Sequence, residues 1–308
     1  MRFGVAVLNA YEGLGYPVGM VADPSVLVRL GQTAERLGFD RVWANDHPVT
    51  PTFLRDEHPH HYDALATLSA VARATRRIGL GTAVIALPQR DPVDLAHQAS
   101  LLDQLSGERL VLGLGLGAYR EEFIALRPDR AKERRGPLFD EAIGLLRAQL
   151  PRVPLYIGGH GVPATRRAAR VGDGWIPGWQ PFDVLAERVA LLRRELARNG
   201  RGPGDVRIAV ELSARVASRH EDAIRAYEGS RFVRHRRSRD TTGREQSLMT
   251  ASNLVGSSDA IKDKIARLEA LGVDECAALA FPAESVGELE EQWTRFAEEV
   301  LPRIASAT

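Results

Sequence analysis

The sequence predicts an α/β protein that closes into a (β/α)8, or TIM, barrel. Three observations lead to this prediction. Apolar, β-branched runs alternate with helical patterns, eight alternations can be counted, and the apolar runs are nearly continuous, as expected for strands buried on both faces. A chain of 308 residues is long for an ordinary domain but normal for this barrel. We therefore expect one domain over residues 1–308.

Eight apolar runs have the composition of buried strands, and helical patterns separate them. The strands are predicted at 3–8, 41–45, 78–86, 110–117, 155–158, 175–178, 207–212 and 275–281. The helices are predicted at 25–37, 62–75, 92–105, 137–150, 163–171, 182–199, 258–271 and 286–304. The clearest unit is the strand–helix–strand stretch 78–117, whose helix has Pro92 near its first turn and ends at Gly107.

Function in such a barrel belongs at the carboxyl ends of the strands. His47 follows the second strand, where an imidazole can transfer protons near neutral pH; the alternative is a hydrogen-bonded loop histidine before Pro48. Two long connections, 48–61 and about 228–256, leave the same face. Long connections of this kind are usually lids or binding loops.

A glycine-rich turn follows the fourth strand. Gly113, Gly115 and Ala118 satisfy the GxGxxG/A pattern of dinucleotide-binding folds. That pattern belongs on the first strand, with an acidic residue ending the second strand about 20 residues later. Here the turn is fourth in the series and a helical pattern lies at that distance, so we disfavour a nucleotide fold. The glycines instead predict close approach of a flat ligand or a phosphate to the backbone.

A second glycine-rich turn, Gly158-Gly159-His160-Gly161, follows the fifth strand and precedes a helix. Exposed amides next to a helix N-terminus suit an anion such as a phosphate, whereas the alternative is an ordinary left-handed turn. We prefer the phosphate for Gly158 and Gly159, and the ordinary turn for Gly161.

Other polar residues admit structural interpretations that we weigh against function. His58, His60 and His61 lack the helical spacing of a two-histidine metal site, so we predict no metal. Glu121 and Glu122 are expected to stabilise a helix N-terminus rather than to act as bases. Either Trp175 or Trp179 could line the site; the alternative is that both pack in the barrel core. A basic run is either a solvated loop or a lid over an anionic ligand: Arg231, Arg234, His235, Arg236, Arg237 and Arg239.

Composition excludes several other classes of function. The formal net charge of +1 gives no general case for nucleic acid or a membrane surface. The one cysteine, Cys276, excludes an intrachain disulfide and a CxxC redox or zinc pair, and its apolar neighbours indicate a buried thiol. The chain opens on a strand without a signal-peptide pattern and has no apolar stretch of membrane-spanning length, so we expect a cytoplasmic protein.

Several segments, taken in order, resemble the luciferase-like superfamily of flavin- and deazaflavin-dependent oxidoreductases, the bacterial luciferase-like monooxygenase family. They include AERLGFDRVWANDH at 34–47, RRGPLFDEAIGLLRA at 134–148 and LVGSSDAIKDKIARLEALGVDE at 254–275, together with 78–123 and 154–175. Their order is specific for the superfamily but not for one member. The resemblance implies a TIM barrel with an isoalloxazine-like ring across its mouth.

The resemblance also carries over residue by residue. By position, Gly158 and Gly159 match backbone contacts to the cofactor phosphate, and Gly115 and Gly117 would line the cofactor chain. Ala83–Val84 matches a non-proline cis peptide bond that backs the ring in deazaflavin members. Asp46 and His47 match an Asp-His pair beside the ring, in which the histidine serves as acid or base.

The sequence departs from the family pattern at three places, and these departures bear on its packing and its activity. Residues 106–109 read SGER where the family often has SGGR, in a loop on the non-catalytic face. Residues 151–154 lead almost directly into the fifth strand where members commonly have a hairpin-like segment, which should affect packing or subunit contacts. Ala118 and Tyr119 stand where deazaflavin sugar-phosphate dehydrogenases carry a carboxylate, which makes that particular activity doubtful.

The resemblance and the residues together predict a redox enzyme for a small organic substrate. We favour hydride transfer with the deazaflavin coenzyme F420, with His47 handling protons. The first alternative is a monooxygenase that uses FMN, supplied in reduced form by a separate flavin reductase, and oxygen. The second is a non-catalytic flavin-binding barrel, which the short 151–154 connection keeps open. A homodimer is common among such barrels, and nothing in the sequence demonstrates it.

Overall fold

Parallel strands pair in chain order around a closed barrel in the computed structural model, which describes residues 1–238 and 248–301. The strands in those ranges are β1 (Arg2–Ala6), β2 (Arg41–Ala44), β3 (Gly79–Thr82), β4 (Ile85–Ala86), β5 (Leu110–Gly115), β6 (Leu155–Gly158), β7 (Gly174–Ile176), β8 (Arg207–Val216), β9 (Leu254–Gly256) and β10 (Glu275–Ala280). β10 pairs with both β8 and β1, which closes the ring. With β3 and β4 as two parts of one strand, the described residues confirm the predicted eight-stranded (β/α)8 barrel.

Helices surround the barrel and follow the predicted order. Those described are α1 (Ser25–Arg36), α2 (Ala64–Ala74), α3 (Pro92–Ser106), α4 (Arg120–Leu126), α5 (Arg135–Gln149), α6 (Val162–Val171), α7 (Phe182–Arg198), α8 (His220–Glu228), α9 (Arg231–Ser238), α10 (Met249–Ser252), α11 (Ser258–Leu271) and α12 (Val286–Glu299). Local signals explain their ends: the Asp91 side chain caps α3 at Val93 and Asp94, and Gly107 closes it in a left-handed conformation.

The core has two layers. Aliphatic side chains fill the space between the strands and the helices, and they include the fully buried Leu80, Leu112 and Val210. A smaller cluster with Trp43 and Tyr156 fills the barrel interior. Filling the interior makes the barrel a packed core rather than a pore, so a ligand can enter only at a rim.

The third predicted strand, 78–86, is interrupted in the middle. The Ala83–Val84 peptide bond is cis, which confirms that prediction, and the two flanking pieces, β3 and β4, each pair with β5. The backbone of Ala83 and Val84 therefore leaves the sheet at the level of the barrel mouth.

The structure adds detail to one predicted connection and corrects one predicted boundary. The long connection predicted at about 228–256 contains the elements α9, α10 and β9, and its residues 239–247 lie outside the described part. The last helix was predicted to reach Ile304; α12 ends at Glu299, and residues 302–308 are not described. Among the described residues, none of the helices has the length and apolar character needed to cross a bilayer.

Candidate active site

A cavity of about 410 Å³ opens at the carboxyl ends of the strands. Residues at or after the ends of seven strands line it, as expected for a barrel in which loops build the site. Its walls comprise Tyr11, Leu14, Gly15, Asn45, Asp46, His47, Ala83, Val84, Gly117, Ala118, Tyr119, His160, Trp179, Glu211, Phe232, His235 and Arg236. The cavity thus brings together five of the predicted site residues, namely Asp46, His47, Ala83, Val84 and Gly117.

His47 lies at the cavity wall with one ring nitrogen already engaged. Its Nδ1 atom is 2.9 Å from Oε1 of Glu122, and the Glu122 side chain is fully buried. The His47 side chain keeps 14% exposure, and Nε2 is the nitrogen left for a ligand. A histidine held by a carboxylate on one side and facing a cavity on the other is arranged for proton transfer.

Glu122 was expected only to stabilise a helix N-terminus, and that interpretation is incomplete. Glu122 does lie in the first turn of α4, but its side chain turns inward to His47 instead of outward to solvent. Glu121, its neighbour, bonds to the backbone N–H and the hydroxyl of Thr52 on the surface. Only one of these two adjacent carboxylates therefore belongs to the site.

Asp46 is tied to the scaffold. Its two oxygens accept hydrogen bonds from the guanidinium of Arg90 at 3.1 and 2.5 Å, and the amide of Ala86 donates to the same carboxylate at 3.1 Å. The Asp46 side chain is only 2% exposed. This carboxylate holds the chain just after the Ala83–Val84 bond, so it shapes the wall of the cavity.

Val84 explains two of the predicted glycines. A Cβ atom at Gly115 would collide with Cγ2 of Val84, and one at Gly158 would lie 2.8 Å from its Cγ1 atom. Neither Gly115 nor Gly158 is among the residues that line the cavity. Their glycine identity is therefore required at least for seating Val84.

Gly159 requires a correction. Its N–H donates to the carbonyl of Ile176 at 3.0 Å, and its carbonyl accepts a bond from the indole of Trp175 at 2.8 Å. The amide of Gly159 is therefore used by the barrel and is not available to a phosphate. In the first turn of α6, which begins at Val162, Pro163 has no N–H and Thr165 donates to the carbonyl of Gly161, so the N–H groups of Val162 and Ala164 are the ones left without a partner within the helix.

Two histidines of the stretch before α2, His60 and His61, form hydrogen bonds with Glu12. The buried carboxylate of Glu12 accepts bonds from the backbone and ring of His60 and from the amide of Val21. Burial alone would raise the pKa of Glu12, but these hydrogen bonds outweigh it and lower the pKa. Nε2 of His61 donates to the backbone carbonyl of Glu12, and Nδ1 of His58 donates to the carbonyl of Asp56 within its own turn. No cluster suited to a metal ion occurs among the residues that the structure describes.

The basic run forms a helix over the cavity. Phe232, His235 and Arg236 of α9 line the cavity, and Arg236 bonds Glu211 at 3.3 Å while lying over the Phe232 ring. His235 stacks on Phe53, which belongs to the 48–61 connection. The two long connections therefore meet above the site, while Arg239 lies outside the described residues.

Of the two tryptophans, one lines the cavity and the other packs in the barrel core. Trp179 lines the cavity and is 2% exposed. Trp175 is fully buried and holds the Gly159 carbonyl. Trp179 is therefore the tryptophan that walls the site.

A family model described as luciferase-like monooxygenase matches residues 1–152 and 147–275. The chain belongs to this family. A relative from Kineococcus radiotolerans, an F420-dependent glucose-6-phosphate dehydrogenase, is 30% identical over 238 residues, which is 68% of each chain. The matched region contains every cavity residue named above.

Solved structures show the same fold. A monooxygenase from Streptomyces bottropensis superposes with a TM-score of 0.77 at 22% identity, covering 99% of this chain and all of the other. An F420-dependent secondary alcohol dehydrogenase, solved with an F420-acetone adduct, gives a TM-score of 0.76 at 16% identity, with 97% and 98% coverage. At these identities the likeness concerns the fold.

Sequence reasoning missed several wall residues of this luciferase-like oxidoreductase. Tyr11, Glu211 and Phe232 line the cavity, yet each comes from a segment without a motif. A signal was present for Glu211, because a carboxylate in the middle of a predicted apolar strand must face either a partner or a cavity. Glu211 has both, since Arg236 pairs with it at the cavity wall.

Proposed function

We propose that the protein transfers hydride between coenzyme F420 and a small alcohol or carbonyl compound, with His47 as the proton donor and acceptor. The observation that carries the proposal is the position of His47, which shares one cavity with the Ala83–Val84 backbone. The 30% identical relative, an F420-dependent dehydrogenase, supports the choice of cofactor.

The residues present fit a flavin-type ring. Asn45 lines the cavity, and its Oδ1 atom is buried without a hydrogen-bond partner in the part of the chain that the structure describes. The heterocyclic edge of a flavin or deazaflavin carries an N–H that can satisfy this atom. Ala83 and Val84 would back the ring, Gly117 would lie beside its chain, and the first turn of α6 would take a phosphate.

A bound deazaflavin would supply hydride chemistry at its ring, and the protein's part is to bind, orient and move one proton. When an alcohol is oxidised, Nε2 of His47 takes the hydroxyl proton; in reduction it returns that proton to the carbonyl oxygen. Phe232 and Trp179 cover the site and limit water.

The substrate proposed is neutral and small. Arg236 and Glu211, which face each other in the cavity, form an ion pair, and aromatic rings make up much of the remaining wall. A sugar phosphate is not proposed, because Ala118 and Tyr119 occupy the wall where a carboxylate was expected for that activity. We also propose that the protein is cytoplasmic and forms a homodimer.

Titration with F420 and with FMN, followed by fluorescence, tests the cofactor. We expect micromolar binding of F420 and little response to FMN. Turnover is then measured with a panel of primary and secondary alcohols and the matching carbonyl compounds. His47→Asn should abolish turnover and leave F420 affinity within about threefold, whereas His58→Asn, a change in an exposed turn, should preserve both.

An FMN-dependent monooxygenase is the second candidate, and the structural likeness to a monooxygenase favours it. It predicts preferential FMN binding and substrate-dependent oxygen uptake when a flavin reductase is present. Binding of either cofactor without any turnover by the wild-type protein across the panel would indicate the other alternative, a non-catalytic flavin-binding barrel.

A further inference from the structure

We propose that Glu122 is a positioning residue that fixes the tautomer of His47 and balances the positive charge that His47 acquires on taking a proton. The inference rests on the proposed function for its chemical meaning. Its structural part, the control of His47 by Glu122, can be tested on the cofactor-free protein.

The first observation is that the Glu122 carboxylate has few hydrogen-bond partners. The side chain is fully buried, Oε1 lies 2.9 Å from Nδ1 of His47, and Oε2 has no hydrogen-bond partner among residues 1–238 and 248–301. A buried carboxylate normally satisfies several lone pairs, so one with a single side-chain partner depends heavily on that partner. His47 is that partner.

The second step concerns the other charged or titratable groups near the pair. His61 has its ring 6.3 Å from that of His47, and burial foremost, together with the proximity of His47, lowers its pKa, although Glu12 and Glu122 oppose this. The neutral form of His61 is thereby favoured. The Tyr119 ring lies 5.4 Å from the His47 ring and contacts His235 through its hydroxyl.

Arg135 is the cation on the α5 side. Its guanidinium donates to the carbonyls of Leu116 and Gly117. Burial, and then Arg120, lower the pKa of Arg135, while the charge of Glu122 raises it. Arg135 therefore acts on Glu122 only across space, and His47 remains the group within hydrogen-bond distance.

The third step is the chemistry that this arrangement permits. When the Glu122 carboxylate is ionised it can only accept hydrogen bonds, so its contact with Nδ1 places the proton of neutral His47 on Nδ1 and the lone pair on Nε2. Nε2 would then take the proton of a substrate hydroxyl, a bound deazaflavin would supply the acceptor for the carbinol hydride, and the alcohol would become a carbonyl compound. The imidazolium that results is paired with Glu122, as in a carboxylate–histidine pair of a hydrolase.

Glu122→Gln tests the proposal with little change in volume. The variant should lose about 100-fold or more in kcat, the range of a general acid–base contribution, while KM and F420 affinity stay within about threefold. The acid limb of its pH–rate profile should move to lower pH, because a neutral amide no longer stabilises the imidazolium. Glu141→Gln, an equal charge change at an exposed site on α5, should leave all of these values unchanged.

Nitrogen NMR of the apo-protein gives a readout that does not depend on turnover. In the wild type we expect Nδ1 of His47 to be protonated when the ring is neutral; in Glu122→Gln, whose amide can also donate, the other tautomer should become populated. Glu122→Asp, which keeps the charge, should restore the wild-type tautomer at least in part. Circular dichroism checks that each variant is folded.

Two results would overturn the inference. One is a wild-type pH–rate profile and kcat in a folded Glu122→Gln variant. The other is an NMR spectrum in which Nε2 of neutral His47 carries the proton while Glu122 is present. Failure of the proposed function looks different, since the wild type would then show no hydride transfer while the NMR result on His47 would still hold.

Discussion

Asp46 and Arg90 form an ion pair, 2.5 Å at its shortest, that joins the end of β2 to the segment after β4. Asp46 is the residue before His47, and Arg90 comes shortly after Ala83 and Val84. The pair therefore links the candidate acid–base residue to the Ala83–Val84 backbone at the cavity wall. Arg90 reaches a second carboxylate, Asp63, at 2.9 Å.

Asp46→Asn should lower the free energy of unfolding by about 3 kcal/mol, because removing one partner of a buried pair leaves the other charge poorly compensated. Urea denaturation measures the change. Asp63→Asn is the matched control: Asp63 is 42% exposed, and asparagine can still cap α2, so we expect a loss below about 1 kcal/mol. Equal losses in the two variants would contradict this assignment.

Gly158→Ala should destabilise the protein through Val84. The new Cβ atom would lie 2.8 Å from Cγ1 of Val84, and overpacking of this kind typically costs about 1–3 kcal/mol. Val84→Ala should recover part of the loss when combined with Gly158→Ala. A double-mutant cycle measures the coupling, and we expect more than about 0.5 kcal/mol. Strict additivity would show that Val84 is not the group that excludes a side chain at 158.

Lys264 should make stability depend on pH in a defined direction. Its ammonium donates to the carbonyls of Thr250, Asn253 and Val255, and burial, with a smaller effect of Arg267, lowers the pKa of Lys264 to about 8. The value in an unfolded chain is about 10.4. Between these two values the unfolded chain binds more protons, so this contribution to stability rises with pH.

The measurement compares wild type with Lys264→Met by urea denaturation from pH 7 to pH 10. The difference in unfolding free energy should shift in favour of wild type by about 2 kcal/mol across that range. Tyrosines and Cys276 also titrate in this range, but their contributions to the unfolding free energy are the same in both proteins and cancel in the difference. A difference that stays constant with pH would contradict the prediction.

Cys276 should be unreactive in the native protein. The thiol is fully buried in β10, and burial raises its pKa, so little thiolate forms. Iodoacetamide should label the protein only as urea unfolds it. Because the chain has one cysteine, the labelling rate then reports opening of the barrel itself. Rapid labelling of the native protein at pH 8 would count against this.

The barrel could be predicted because its evidence is local. Each strand is a short apolar run and each helix has its own periodicity, so the count of eight needs no knowledge of distant contacts. His47 was predictable for the same reason, since it follows a strand and strand ends converge. The cis bond at Ala83–Val84, confirmed in the structure, came from the family resemblance and not from local pattern.

The rest depends on pairings between distant residues. Glu122 contacts His47, which lies 75 positions away in the sequence. Because Glu122 also lies in the first turn of a helix, helix stabilisation explained the residue locally and the contact with His47 was not predicted. Gly159 looked suited to a phosphate, but Ile176, on the neighbouring strand, takes its amide. The segment that contains α9 lacked apolar periodicity because arginines dominate it, although Phe232 and Val233 are buried.

The contacts that hold α9 in place differ in kind from those that hold His47. Besides the buried Phe232 and Val233, α9 is joined to its surroundings by partly exposed ion pairs such as Arg231–Glu57 and Arg236–Glu211. Such pairs are individually weak and are screened by salt. His47, by contrast, is held by the fully buried side chain of Glu122. Under the proposed function, a salt series should therefore change the rates of substrate entry and release more than the rate of proton transfer at His47.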